Sequence, residues 1–151
     1  MRTYLVIIDD SEESRLAQRY AGRRASRASG NVHLLSVTQP PQFVAWGGVQ
    51  ATIEAEAKEQ AEATARAAAE ALHYDFGISP RISIRQGDAA DVVRETIRED
   101  SDIAVLVLGA AASGAPGPLV AHFTGHDAGS LSVPVMVVPG GLSDEEVDRL
   151  S

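Results

Sequence analysis

The 151-residue chain has no cysteine, which excludes a disulfide framework, thiolate catalysis and thiolate metal sites. Lysine is almost missing too: Lys58 is the only one, and it lies far in sequence from every glycine-rich stretch. A Walker-type phosphate loop must end in Gly-Lys-Ser/Thr, so that class is excluded. Basic charge is scarce, with 13 Lys and Arg against 21 Asp and Glu and a formal net charge of -8. Broad nucleic-acid binding and attachment to an anionic membrane both need basic patches, so neither is expected. Long hydrophobic runs are lacking as well. The first apolar run, Leu5 to Ile8, turns acidic at Asp9-Asp10, too short for a secretory core or a membrane span. The expectation is a cytoplasmic protein.

What is present is strand–helix alternation in a chain long enough for one domain with a real core. The centre is Asp102-Ile-Ala-Val-Leu-Val-Leu-Gly109. Its unbroken apolar run has no polar face, the mark of a strand buried on both sides of a parallel sheet. Leu5–Ile8 and Val32–Val37 read the same way, and Val133–Val138 reads as the last strand. Arg81–Arg85 alternates, which predicts a half-exposed edge strand. Between them the sequence predicts a helix from the Ser11 N-cap to about Ala28, stopped at Ser29-Gly30-Asn31. A long helix is expected from Val49 to Tyr74 with an apolar stripe of Ile53, Ala57, Ala61, Ala68 and Leu72. A third runs from Ala89 to Glu99, capped by Asp88 or Asp91, and a fourth from Leu119 to about Leu131. Ser143 and Glu146 form a capping-box pattern. The division expected is an α/β domain over residues 1–140 and a short helical tail over residues 141–151. The fold class is an open, doubly wound, five-stranded parallel sheet with helices on both faces.

In such sheets ligands settle beyond the carboxyl ends of the strands. The loop from Gly109 to Pro118, with Ser113, Gly114 and Gly117, leaves a strand tip and feeds a helix, so its backbone N–H groups can face an anion. A dinucleotide domain is excluded, because its Gly-x-Gly-x-x-Gly is replaced after the first strand by Asp9-Asp10-Ser11. A phosphoacceptor receiver shares the acidic pair, but the second strand ends Ser36-Val37-Thr38 without an acceptor aspartate. No lysine stands near the last strand either. Phe43 and Trp46 sit in a glycine-rich loop, where they line a pocket or pack the loop down, the second being the simpler reading. His122 and His126 are four apart, a metal-compatible spacing on a helix, but no third ligand is evident and no metal is expected. No nucleophile–base pair can be assembled from spacing, so catalysis is not expected.

The order of these pieces resembles the universal stress protein family. Leu5-Val-Ile-Ile-Asp9-Asp10-Ser11-Glu-Glu-Ser14 is similar to its opening strand and helix start. Val32–Val37 is similar to its second strand, and Gln86-Gly-Asp88-Ala-Ala-Asp91-Val-Val to its turn into the third helix. Val105–Gly109 and Val133-Pro-Val-Met-Val-Val138 complete a likeness that spans residues 1 to about 139. The resemblance implies strand order 3-2-1-4-5, the adenine nucleotide alpha hydrolase-like arrangement, and a homodimer through the last strand, Val133 to Val138. It implies a regulatory stress-response role and ATP or AMP as ligand, with at most slow ATP hydrolysis. Asp9 corresponds to the aspartate beside the nucleotide, Val37 to a residue lining the adenine site, and Gly109, Ser113, Gly114 and Gly117 to the phosphate loop. The family's Gly-x-x-Gly, nine residues, Gly-Ser/Thr is degenerate here. From Gly109 the second glycine falls on Ala112 and the closing pair near His122; from Gly114-x-x-Gly117 it falls on Asp127-Ala128. The alternative expectation is therefore a homodimeric scaffold of the same fold that binds no nucleotide and acts through protein contacts.

Overall fold

The computed structural model describes residues 1–39 and 47–151; the Phe43 and Trp46 loop lies outside the described residues. Five strands and five helices alternate: β1 (Thr3–Ile7), α1 (Glu12–Arg27), β2 (Asn31–Thr38), α2 (Gly47–Phe76), β3 (Arg81–Gln86), α3 (Ala89–Glu99), β4 (Ile103–Ala110), α4 (Pro118–Thr124), β5 (Val135–Pro139) and α5 (Asp144–Leu150). The strands form one sheet in the order β3-β2-β1-β4-β5, every neighbouring pair parallel. The doubly wound α/β fold is thus as expected.

Strand pleating sorts the core into two layers. Tyr4, Val6, Val32, Leu34, Val105 and Val107 face α1 and α2. Leu5, Leu35, Leu106 and Leu108 face the other way, with Val92, Val93 and Ile97 of α3 and Phe123 of α4. Both faces of β1 and β4 are covered, so Leu5–Ile7 and Ile103–Leu108 are unbroken apolar runs. The edge strand β3 keeps Ile82 and Ile84 on one face and Arg81, Ser83 and Arg85 on the other, which explains its alternation.

Helix starts follow local chemistry. Ser11 caps α1 by accepting from Ser14 N–H at 3.2 Å, and Asp88 caps α3 by accepting from Asp91 N–H at 3.1 Å. The end of α1 is less obvious: the left-handed residue is Ser29 (φ 54°). Gly30 is needed instead because a Cβ there would run into the Arg2 carbonyl.

Three expectations need correction. Helix α4 stops at Thr124 and does not reach Leu131, because Gly125 leaves the helical region (φ −105°, ψ −112°) and the stretch to Ser130 continues as turns. Glycines at 125 and 129 give the backbone too little reason to stay helical. The last strand begins at Val135, not Val133, although the Pro134 carbonyl still accepts from Leu106 N–H at 2.9 Å. Of the predicted stripe in α2, Ala61, Ala68 and Leu72 are buried, joined by Ala65, while Ile53 and Ala57, nearer its start, are exposed.

The terminal helix closes onto the body. Val147 is fully buried in the α1–α2 layer. Both halves of the capping box form: Glu146 N–H donates to Ser143 Oγ and Ser143 N–H to Glu146 Oε1, each at 3.1 Å.

Candidate functional site at the strand tips

The chain winds from β1 outward to β3 and then crosses back to β4, so β1 and β4 are neighbours whose connections leave in opposite directions. That reversal opens a crevice beyond the strand ends. A cavity of about 210 Å³ lies there, floored by Ile7 and Leu108 and walled by Asp9, Ser11, Glu13 and Ser14 on one side. Gly109, Pro116, Gly117, Pro118, Leu119 and Val120 make the other wall.

Asp9 is held by the chain reversal into α1. Its Oδ1 accepts from Ser11 N–H at 2.8 Å and from the Ser11 hydroxyl, while its own N–H donates to Ser14 Oγ at 3.0 Å. One carboxylate oxygen is therefore committed to the turn. Gly109 answers a packing demand: a Cβ there would collide with the Glu13 carbonyl, and Gly140 faces the same first turn of α1 from the β5 side. The end of β4 can thus lie against the helix start only without a side chain.

The loop after β4 is closed by Ala111 N–H donating to the Pro116 carbonyl at 3.1 Å. Gly114 (φ 75°) and Gly117 (φ 118°) supply the left-handed positions it needs. Of the residues expected at the site, Asp9, Gly109 and Gly117 meet around the cavity. Ser113 and Gly114 lie on the exposed outside of the loop. Val37 packs against the α3–α4 layer, in register with Arg85 of β3, and does not line the cavity. Sequence reasoning missed Glu13, Ser14 and Leu119. For Glu13 and Ser14 the Ser11 cap was the available signal, since it sets the first turn of α1 against the strand end; Leu119 had its signal in the glycine-rich loop that feeds α4.

The histidine pair does not form. With α4 ending at Thr124, His126 falls in the following turns and is exposed. His122 instead bonds Asp127 Oδ2 at 2.8 Å. Arg94 of α3 contacts both His122 and Asp127 and lies 5.6 Å from the Phe123 ring centre. The cluster ties α3 to α4 beside the cavity. Among the described residues no group of three His, Asp or Glu side chains could hold a metal.

A second titratable group is buried on β2. His33 Nε2 pairs with Ser83 Oγ at 2.7 Å, and Nδ1 has no partner among the described residues. Burial above all, then the nearby Arg81 charge, holds this imidazole below its ordinary value of 6.5.

Fold and site together define a doubly wound α/β protein with a small cleft at its switch point, walled by an aspartate and a glycine-bearing loop. The universal stress protein family model matches residues 1–139, and the chain belongs to that family. Among solved structures it is similar to the universal stress protein UspA from Lactobacillus plantarum (17% identity, TM-score 0.76, 91% of this chain and 97% of that one). It is also similar to a universal stress protein family protein from Arabidopsis thaliana with AMP bound (17% identity, TM-score 0.64, 96% and 95%). A third likeness is to the universal stress protein from Archaeoglobus fulgidus in complex with dAMP (14% identity, TM-score 0.63, 91% and 96%). No curated protein matches the chain. Among the described residues no helix is long and apolar enough to cross a membrane.

Proposed function

We propose that this protein is a cytoplasmic regulatory module of the stress response that takes an adenine nucleotide, ATP or AMP, between Asp9 and the loop from Gly109 to Gly117, and that it performs no robust turnover. The observation that carries the reading is the cavity at the switch point, where Asp9, Gly109 and Gly117 converge. Apolar Ile7, Leu108, Leu119 and Val120 offer a surface for a flat base, and the free oxygen of Asp9 offers an acceptor for a ribose hydroxyl. That relatives of the same fold are described with AMP or dAMP bound supports the same ligand class.

The second reading, a scaffold of this fold without nucleotide, rests on the charge of the walls. Asp9 and Glu13 are the charged residues around the cavity, and among the described residues no arginine or lysine joins them. A carboxylate 4 Å from a phosphate oxygen costs about 1 kcal/mol in water and about 4 kcal/mol at an effective dielectric constant near 20. His122, near the position of the family's closing hydroxyl, is engaged with Asp127. One experiment separates the two: identify any nucleotide carried by the purified protein, then titrate with ATP and AMP in a calorimeter. Co-purified nucleotide, or saturable heat that disappears in an Asp9→Ala protein whose melt shows it folded, establishes the pocket. No nucleotide and no heat at millimolar ligand rejects it in favour of the scaffold.

A further inference from the structure

The cavity between Asp9 and the loop after β4 carries the wrong charge for a phosphate and the right groups for a nucleoside. Glu13 lines it beside Asp9, and neither carboxylate forms an ion pair among the described residues. Arg15, the cation nearest to them in sequence, is taken by Glu12 and Asp144, each at 2.6 Å. The loop is also poor in donors for an anion. Pro116 and Pro118 line the cavity but have no N–H, and the N–H of Ala111 is spent on the Pro116 carbonyl at 3.1 Å. That leaves the N–H groups around Gly117 and in the first turn of the seven-residue α4.

Ser14 supplies a donor of another kind. It lines the cavity and is only 3% exposed. Its Oγ accepts from Asp9 N–H and from Gln18 Nε2, both at 3.0 Å. Two accepted bonds occupy both lone pairs of a hydroxyl oxygen. The hydroxyl hydrogen has no acceptor among the described residues, so it is left for a ligand.

We propose that this cleft grips the uncharged nucleoside part of an adenine ligand, that adenosine is therefore preferred over AMP and ATP, and that Glu13 is the residue that turns phosphate away. This preference presupposes the adenine site proposed above and narrows its ligand. Ribose hydroxyls and the exocyclic amine of adenosine are donors that suit the carboxylates of Asp9 and Glu13. A ring nitrogen or a ribose oxygen is an acceptor that suits the Ser14 hydroxyl, and Ile7, Leu108 and Leu119 offer apolar surface to the base. Size points the same way: about 210 Å³ falls below the roughly 300–1,000 Å³ of pockets that enclose drug-sized ligands, so a triphosphate has no room inside. Each phosphate added to the nucleoside brings negative charge toward Glu13 and no nearer to a cation.

Calorimetric titration of the full-length protein with adenosine, AMP and ATP, in metal-free buffer at low and at high salt, tests this. Adenosine should bind about fivefold tighter than AMP, the discrimination that one like charge about 4 Å away confers even in water. Added salt should narrow that gap by screening. Glu13→Gln, shown to be folded by its melt, should bring AMP close to adenosine and leave the affinity for adenosine unchanged. AMP or ATP binding tighter than adenosine would overturn the proposal while leaving the nucleotide site standing. A preference for adenosine that Glu13→Gln does not alter would overturn it equally. Heat from none of the three ligands would remove the adenine site itself, and the preference with it. Should Glu13→Gln not fold, salt decides: a gap that narrows supports the charge filter and a gap that stays rejects it.

Discussion

At Gly109 two explanations of one glycine compete, and the geometry decides between them. A glycine at a strand tip invites an anion-binding reading, yet a Cβ here would strike the Glu13 carbonyl. Gly109→Ala should therefore destabilise the protein by about 1–3 kcal/mol, the usual cost of an overpacked contact, whether or not nucleotide is present; urea unfolding with and without AMP reads it. Asp9 has a double role as well. Its Oδ1 holds the turn, so Asp9→Ala loses structure together with any ligand contact. Asp9→Asn keeps a turn acceptor and removes the charge, and its melting temperature should stay within a few degrees of the unaltered protein. His33 makes a sharper prediction. Its imidazole is held below 6.5 by burial and by Arg81, so the unfolded chain binds the proton more readily than the folded one. Stability is then greatest above pH 6.5 and falls from there as acid drives the pH down toward the depressed folded value. Asp144, Asp148 and Glu12 are lowered too, first by their arginine hydrogen bonds, and their contribution is lost only in stronger acid. Thermal melts between about pH 8 and pH 5 should slope downward, and His33→Gln should flatten that slope. An unchanged slope would assign it to another group.

Among the elements, those with a local signal were legible and those depending on distant partners were not. Helix α3 was readable because Val92, Val93 and Ile97 recur at helical spacing, although the sequence left its cap open between Asp88 and Asp91 and the structure gives Asp88. β1, β2 and β4 were readable because burial on both faces leaves a mostly apolar run, broken in β2 by the buried His33 and Ser36. Helix α2 misled because its repeat runs the same length whether or not a sheet lies beneath it. Only from Ala61 onward does the body cover the stripe. The end of α4 misled because Leu119–Leu131 contains enough apolar residues to seem helical, while two glycines decide otherwise. The arginines of α1 were visible as a row, but their partners stand 129 positions away in α5, where no local pattern points back. For the site, the loop after Gly109 was legible from its strand end, while Asp9 was assigned by resemblance. Val37 was assigned by resemblance, and its side chain belongs to the α3–α4 layer. The start of α5 combines both kinds of information. Its capping box is local, and losing it should loosen the whole seven-residue helix over α1. Ser143→Ala should lower unfolding stability by about 1 kcal/mol, measured by urea denaturation; no change would mean that Val147 and the ion pairs suffice to hold it.

For the molecule as a whole, the sheet has two open edges, and they are not alike. β3 protects its edge with Arg81 and Arg85, charges that discourage strand pairing. β5 has no such guard: it reads Val135-Met-Val-Val-Pro139, with Val135, Met136 and Val137 only partly buried. The direction of its backbone bonds follows from two contacts. Leu106 N–H donates to the Pro134 carbonyl at 2.9 Å, and Gly140 N–H donates to the Ala110 carbonyl at 2.7 Å. Even-numbered residues therefore turn their backbone groups toward β4, leaving those of Val135 and Val137 facing outward. Two unpaired, apolar, outward-facing residues are what a second copy of the strand would satisfy, so we propose that the protein dimerises through β5. Val137→Pro tests this cleanly, because proline removes an outward N–H while the ladder to β4 keeps all of its donors. Sedimentation of the unaltered protein at micromolar concentration should give a dimer, and Val137→Pro should give a monomer that still melts cooperatively. A monomer in both cases would exclude the β5 interface. A dimer in both would place the interface elsewhere on the molecule, with the exposed flank of α2 the next surface to probe.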